Sequence, residues 1–571
     1  MSLATARNHP GPIRAIPRQP IGAWRQIRAP REGRHCGRTF QDMYTPRLSR
    51  RSALQAGLAA SAIGIIGRNG VSAAPGSLQR RALAPAQTLS GRVVIATNNN
   101  PTDAEKAALT NAYNERQPDV EIAWDTADRG GEYANWLGTQ LAADDIALDI
   151  VAGNYQATFR GYVNLDMHRG ATNPYSNQIW DADLNWDLIR ALDPAGNRIM
   201  LPTRAVHINW FYNQNLFDAA GITATPTTWS EFADVCAALK ESGVTPIGIN
   251  FNWQLPQWFA EVYFDQYHVE WVETVRAQEG DWNFDPEFDG VFAFDPAEPM
   301  IHNLYTYSVQ RFMKGIQDGT LRFDTPAVAE IVTNLKAIFP QYANEDMYVA
   351  DDVYTKFLQQ QVAIIPDGSW NLGQLTADMA ELSPERLAEL EIEADTVKTF
   401  TWSTFENPAM EGDLVQSAPR SVESASGEYI SVIEKDQAQT DLSVDFAMFW
   451  LSAAGYQPWL DAQWANPSFS PAGPLQVTGV TIPQKETDLF ANLLELGNAE
   501  AAYNGFWTAG AGAQHIENLH NLLAEALNDN ITPEDYAAQL QQYHEDNWDS
   551  YLELMQLTQE DVDDPARQPG T

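Results

Sequence analysis

Eighteen tryptophans, Trp253, Trp258, Trp370, Trp402 and Trp507 among them, suggest the chemistry this chain could do. Flat aromatic faces pack on the C–H faces of a sugar ring, and sugar hydroxyls need donors and acceptors close by. Polar residues that could supply them stand at the ends of three predicted strands: Asn98 and Asn99, Asp125, and Asn154 with Tyr155. Asp367 precedes Trp370 by three residues. Motifs for other chemistries are missing from the sequence. There is no Gly-rich phosphate loop, HExxH pair or GxSxG elbow. The two cysteines, Cys36 and Cys236, cannot make a disulfide scaffold or a Cys-based zinc finger. The run Asp281-Trp282-Asn283-Phe284-Asp285 imitates a calcium loop. Pro286 and Phe292 stand where an EF-hand needs Gly and Glu, so only a calcium site of another kind stays open. The nine histidines are scattered, and His207 reads as structural.

Charge narrows the partners. Residues 1–74 carry 12 Arg and only Glu32 and Asp42, which leaves 24 basic and 73 acidic side chains in the remaining 497 residues. A net charge of −49 without a Lys/Arg cluster excludes a nucleic-acid binder and reads mainly as a solubility feature. No apolar run reaches about 18 residues, so no ordinary membrane span is expected. The N-terminus reads as an address. Arg50-Arg51 precede an uncharged run from Ser52 to Gly67 and then Val71-Ser72-Ala73-Ala74. That order is a secretory signal, and the paired arginines suggest twin-arginine export, although Ala53 stands where Phe is usual. Residues 1–74 are expected to be leader and signal peptide, with Met43 a possible true start, and 75–87 a linker.

Behind this lies a regular alternation. Strands are expected at Arg92–Thr97, Val120–Asp125 and Asp149–Ala152. Helices are expected from the Thr102/Glu105 capping box to about Arg116, and over Tyr133–Ala143. Such alternation predicts a parallel α/β sheet, with ligands beyond the carboxyl ends of its strands. Further on, an apolar strand ends at Asn213, a short helix closes on Gly221, and Thr228 with Glu231 caps a helix. Its apolar face is Trp229, Phe232, Cys236 and Leu239.

The run Tyr212-Asn213, Phe217, Ala220-Gly221-Ile222, Pro226, Thr228-Trp229, Glu231-Phe232 resembles the extracellular solute-binding proteins of ABC importers. The likeness is to the carbohydrate-binding family that includes maltose-binding protein. Three later stretches agree: Phe357–Trp370 (FLQQQVAIIPDGSW), Tyr429–Lys435 with a helix over about 440–452, and Glu525–Gln539. The resemblance covers about residues 90–555. It implies an α/β, two-lobe periplasmic-binding-protein fold of type II, each lobe a mostly parallel sheet flanked by helices, with ligand in the interlobe cleft. Lobe one would be 88–205 plus 406–465, and lobe two 206–405 plus 466–571. Hinges would fall near Arg204–Ile208, Thr401–Glu406 and Trp464–Pro467. The stretches 265–300 and 376–396 look like insertions.

By that resemblance the chain is a carrier and not an enzyme. It would act as a monomer without cofactor, closing on a sugar outside the cytoplasmic membrane and delivering it to ABC permease subunits. Trp370 matches the family's stacking aromatic. Tyr155, Asp125 and Trp253 fall at usual contact points, and Trp402 lies near the second expected crossing. Asn98, Asn154, Asp367, Trp258 and Trp507 complete the candidate site. Two alternatives remain at this point: a secreted glycoside hydrolase, which needs two facing carboxyls, and a binding protein for a cation such as a polyamine.

Overall fold

A computed structural model describes residues 89–569, apart from 100, 128, 130–132, 142, 144–145, 154–160, 187–197, 252–253, 351, 422–428, 467–468, 494–495, 500, 502, 512 and 556. The expected leader, signal and linker lie outside the described residues, as do Asn154, Tyr155 and Trp253.

Two sheets organise the chain. The first has the order β2-β1-β3-β9-β4. Its strands are β1 (Ser90–Thr97), β2 (Asp119–Asp125), β3 (Ile150–Gly153), β4 (Leu201–Pro202) and β9 (Tyr429–Val432). The second has the order β6-β7-β5-β8. It is built from β5 (Ile208–Asn213), β6 (Thr245–Ile247), β7 (Val362–Gly368) and β8 (Trp402–Phe405). Side chains alternate across each sheet, and helices cover both faces. In β1, Val93 and Ile95 enter one core with Leu109, Tyr113 and Trp459, while Ala96 enters another with Tyr133 and Tyr162. In β5, Ile208 and Trp210 enter the largest core with Phe232 and Phe259, and Phe211 faces Phe357 and Leu372.

Local signals act as expected. Both capping boxes form, at Thr102/Glu105 and Thr228/Glu231, so two backbone N–H groups at each helix start gain partners. The helix Pro533–Asp546 opens on Thr532 as N-cap with proline in its first turn. Strand direction departs from expectation, because the sheets are mixed. β1 runs parallel to β2 and β3, but β3–β9 and β4–β9 are antiparallel. In the second sheet β6–β7 is parallel, whereas β7–β5 and β5–β8 are antiparallel. Parallel neighbours need a crossover within one sheet. β5 follows β4 of the first sheet along 203–207, and β9 follows β8 of the second sheet, so both are free of that constraint.

The segment 203–207 is anchored. Arg204 Nη1 donates to Glu486 Oε1 at 2.8 Å and to the Gly473 carbonyl at 2.9 Å, both charged side chains being buried. Ala205 N donates to Pro474 O at 2.9 Å. A Cβ at Gly473 would lie 1.7 Å from Ala205 O, so only glycine lets these strands meet. Past the expected third crossing the chain touches both sheets. Ser470 Oγ donates to Trp370 O at 2.9 Å and Ser369 Oγ to Ala472 O at 2.6 Å. Leu475, Val477 and Val480 pack on the first-sheet core, and Leu489 and Phe490 on the second.

The stretch 265–300 is tied down by a buried polar network. Asp265 accepts from His302 Nε2 at 2.6 Å, Arg420 Nη1 at 2.8 Å and Asn504 Nδ2 at 3.3 Å. Burial would push the Asp265 carboxyl up, but His302 and Arg420 hold it below its ordinary value. The C-terminal segment closes the same region. Gln310 Nε2 donates to the carbonyls of Asp561 (2.6 Å) and Arg567 (2.9 Å), and Trp282 N to that of Pro565 (3.1 Å).

Candidate functional site

β7 is apolar until Asp367 and ends on Gly368, after which the chain turns into the helix Trp370–Ala380. The turn is crowded. A Cβ on Gly368 would lie 2.1 Å from the Trp370 ring, so the indole lies directly across this glycine. The far edge of the indole meets Trp258, with centroids 5.6 Å apart and planes at 61°. Trp258 belongs to the π-helical turn Gln254–Phe259, which Gln254 Nε2 fastens to β7 by donating to Pro366 O at 2.9 Å. Trp370 Nε1 is buried, and it pulls on the Asp367 carboxyl.

Asp367 sits beneath this turn. Its Oδ1 accepts from Gly368 N at 2.8 Å. Burial pushes the carboxyl up to about 7, against the opposing pull of Gly368 N, Asn371 and the nearby Trp370 indole. Near neutral pH this group can therefore donate as well as accept. In the register of β5 and β7, Asn209 lies beside Asp367. Asn209 is 1% exposed, and both its Nδ2 and Oδ1 lack partners. The sequence held one signal for it, a lone carboxamide inside an otherwise apolar strand.

The first sheet presents a second group at the carboxyl ends of β1 and β2. Asn98 follows β1, and its Oδ1 would lie 2.1 Å from a Cβ on Gly153, the last residue of β3. Asp125 ends β2 and is already engaged. Arg129 Nη2 donates to both its oxygens at 3.0 and 2.9 Å, and Ala127 N donates to Oδ1 at 3.2 Å. Burial works to raise the Asp125 carboxyl, but Arg129 and Ala127 hold it below its ordinary value. Arg129 itself lies over the Trp136 ring at 3.4 Å. Close by, the buried hydroxyls of Tyr133 and Tyr162 have no partners. Sequence reasoning missed Arg129, Trp136, Tyr133 and Tyr162, which no motif marks.

Two candidates fall elsewhere. Trp402 opens β8 opposite Asn213, at the far end of β5 from the Ile208–Gly368 pair, and packs on Phe211 at 5.9 Å. Trp507 is fully buried among Phe264 and Tyr536, a core residue of the C-terminal helices. The calcium-like run uses its carboxylates internally. Asp281 binds Arg311, while Asp285 and Asp289 accept from backbone N–H groups. Among the described residues no group of three His, Cys, Asp or Glu could hold a metal ion, and no helix is long and apolar enough to cross a membrane. Cys236 is buried, which pushes its thiol up and leaves it unreactive.

The profile of bacterial extracellular solute-binding proteins matches residues 98–385, half of the chain. The chain belongs to this family. Solved structures agree on the fold of this solute-binding protein. A chitin oligosaccharide binding protein is 19% identical, with a TM-score of 0.51 over 80% of this chain and 98% of that one. The cyclic α-maltosyl-1,6-maltose binding protein of Arthrobacter globiformis is 17% identical, with a TM-score of 0.50 over 82% and 100%. A bacterial solute receptor with a preference for β-D-galactopyranose is 12% identical, with a TM-score of 0.50 over 81% and 99%. No curated protein matches the sequence. The two-lobe, type II α/β architecture of this solute-binding protein is thus the one its sequence motifs implied.

Proposed function

We propose that this solute-binding protein captures a neutral sugar or oligosaccharide outside the cytoplasmic membrane and delivers it to an ABC permease. The observation that carries this reading is the Trp258–Trp370 corner, with the indole N–H beside a buried Asp367 whose carboxyl is raised to about 7. Aromatic faces and uncharged polar groups suit a sugar. A polyamine would call for ionised, unpaired carboxylates. Asp125 is paired with Arg129, and burial works against ionisation of Asp367, so neither offers a fully ionised, unpaired one. The sugars named for the structural neighbours support the same class.

On this reading the lobes are 88–205 with 406–465, and 206–405 with 466–571. A sugar touching both lobes binds the closed form better, and that difference closes the hinge. The protein then acts as a monomeric carrier, exported by its N-terminal signal, without catalysis. The test is a thermal-shift screen of residues 75–571 with xylotriose, chitotriose, maltotriose, monosaccharides and spermidine, followed by chromatography of the bound compound. A sugar recovered intact is expected, and at about 100 times its Kd it should stabilise the fold by about 2.7 kcal/mol. A cleaved sugar would make the protein a hydrolase, and a hit with spermidine alone would move the ligand class.

A further inference from the structure

Asn209 is the second residue of β5, and both ends of its buried carboxamide are unmet. Native proteins rarely leave such groups without partners, and a Leu of similar shape would satisfy this apolar strand better. Its neighbours are polar on both sides. The β5–β7 register sets Asp367 opposite it. The β5–β8 register pairs Trp210 with Phe405, and Asn407 Nδ2 reaches Ile208 O at 3.5 Å, so the residue between, Glu406, lies on the other side of Asn209. Residues directly opposite in antiparallel strands project to the same face. Asp367 on β7, Asn209 on β5 and Glu406 just past the end of β8 therefore form a row, at the sheet end that receives the 203–207 crossing.

We propose that this row is a second polar subsite, in which Asn209 takes a hydroxyl group of the neutral ligand held at Trp370. A cation would satisfy only its Oδ1 and an anion only its Nδ2, whereas a hydroxyl both donates and accepts. The carboxyls of Asp367 and Glu406 extend the row for neighbouring hydroxyls. Neighbours along a strand face opposite ways, so Ile208 and Gly368 look to the Trp370 side and Asn209 to the other; the Asp367 carboxyl, drawn by both Asn371 and the Trp370 indole, joins the row to that side. Ligand reaches the buried Asn209 only once the 203–207 crossing, which enters β5 at Ile208, opens. The inference rests on the sugar-binding reading above.

The test compares wild type, Asn209→Leu, Asn209→Ser and Trp370→Ala. Melting temperature is measured without sugar, and titration calorimetry uses whichever of xylotriose, chitotriose and maltotriose binds wild type most tightly. Asn209→Leu is expected to melt no lower than wild type and to bind at least about tenfold more weakly. If it does not fold, Asn209→Ser is held to the same tenfold loss. Lower melting with unchanged affinity would overturn the proposal, because a structural water would then be the partner of Asn209. Affinity within twofold of wild type would overturn it as well. If Trp370→Ala weakens binding and the Asn209 variants do not, only this subsite fails. If none of the variants changes affinity, or no sugar binds, the sugar-site reading itself falls.

Discussion

Trp258 and Trp370 meet edge to face, 5.6 Å between centroids, although 112 residues of chain separate them. Such a pair gains from the positive edge of one ring against the negative face of the other. It also fixes the rotamer of Trp370, so the remaining indole surface is presented in one orientation. Trp370→Ala should weaken sugar binding by about 10- to 100-fold, that is about 1–3 kcal/mol. Trp258→Ala should weaken it less. Titration of the double variant should show a coupling of about 0.5 kcal/mol or more, and strict additivity would mean that Trp258 does not position its partner.

Asp367 links stability to pH. Its carboxyl is raised from 3.8 to about 7 by burial, so folding favours the protonated form. The stability this gives is fully present below about pH 4 and is lost as pH rises through about 7, because the unfolded chain sheds the proton first. Asp367→Asn should therefore stabilise the protein at pH 8, by up to about 4 kcal/mol, and change little at pH 4. Urea unfolding at both pH values checks this. A gain of equal size at the two would show that the carboxyl does not titrate as its burial demands.

Asp125 behaves as a turn and ion-pair residue. Both oxygens are engaged by Arg129 and Ala127, and its side chain is partly exposed. Asp125→Asn should cost about 1 kcal/mol or less and leave sugar affinity unchanged. Since its folded carboxyl titrates below the ordinary value, the contribution is present above that value and lost on acidification through the lower one. A large loss of affinity at constant melting temperature would return Asp125 to the binding site.

Trp507 contributes to the core. Replacing it with Ala empties space beside Phe264 and Tyr536 and should cost about 3–5 kcal/mol. The variant that remains folded should bind sugar as tightly as wild type. Weaker binding without loss of stability would place Trp507 in the site instead.

Much of this architecture was legible because it rests on local rules. Thr102/Glu105 and Thr228/Glu231 announce helix starts through short-range hydrogen bonds. The turn after Asp367 is marked by Gly368-Ser369-Trp370. Strand direction was not legible, since nothing in β5 or β9 tells whether the chain arrives from its own sheet or from the other one. Asn209 stood out only as a polar residue in an apolar strand. Its neighbours Asp367 and Glu406 are 158 and 197 residues away in sequence, and only register unites them. Trp402 and Trp507 show a further limit. Indoles that fill cores and indoles that could meet a ligand look alike in composition, and burial does not separate them either, since Trp258 and Trp370 are buried and Trp402 is half-buried; only their places in the sheet do.

The C-terminal clasp on residues 282–310 bears on when this protein can finish folding. Gln310 and Trp282 depend on carbonyls of residues 561–567. A ribosome holds roughly the last 30 residues it has joined, about 100 Å of extended chain, out of reach of the emerging fold. The region around 282–310 must therefore wait, with these partners out of reach, until residues 561–567 have left the ribosome. A nascent chain stalled before residue 561 would expose that region to proteases that the finished protein resists.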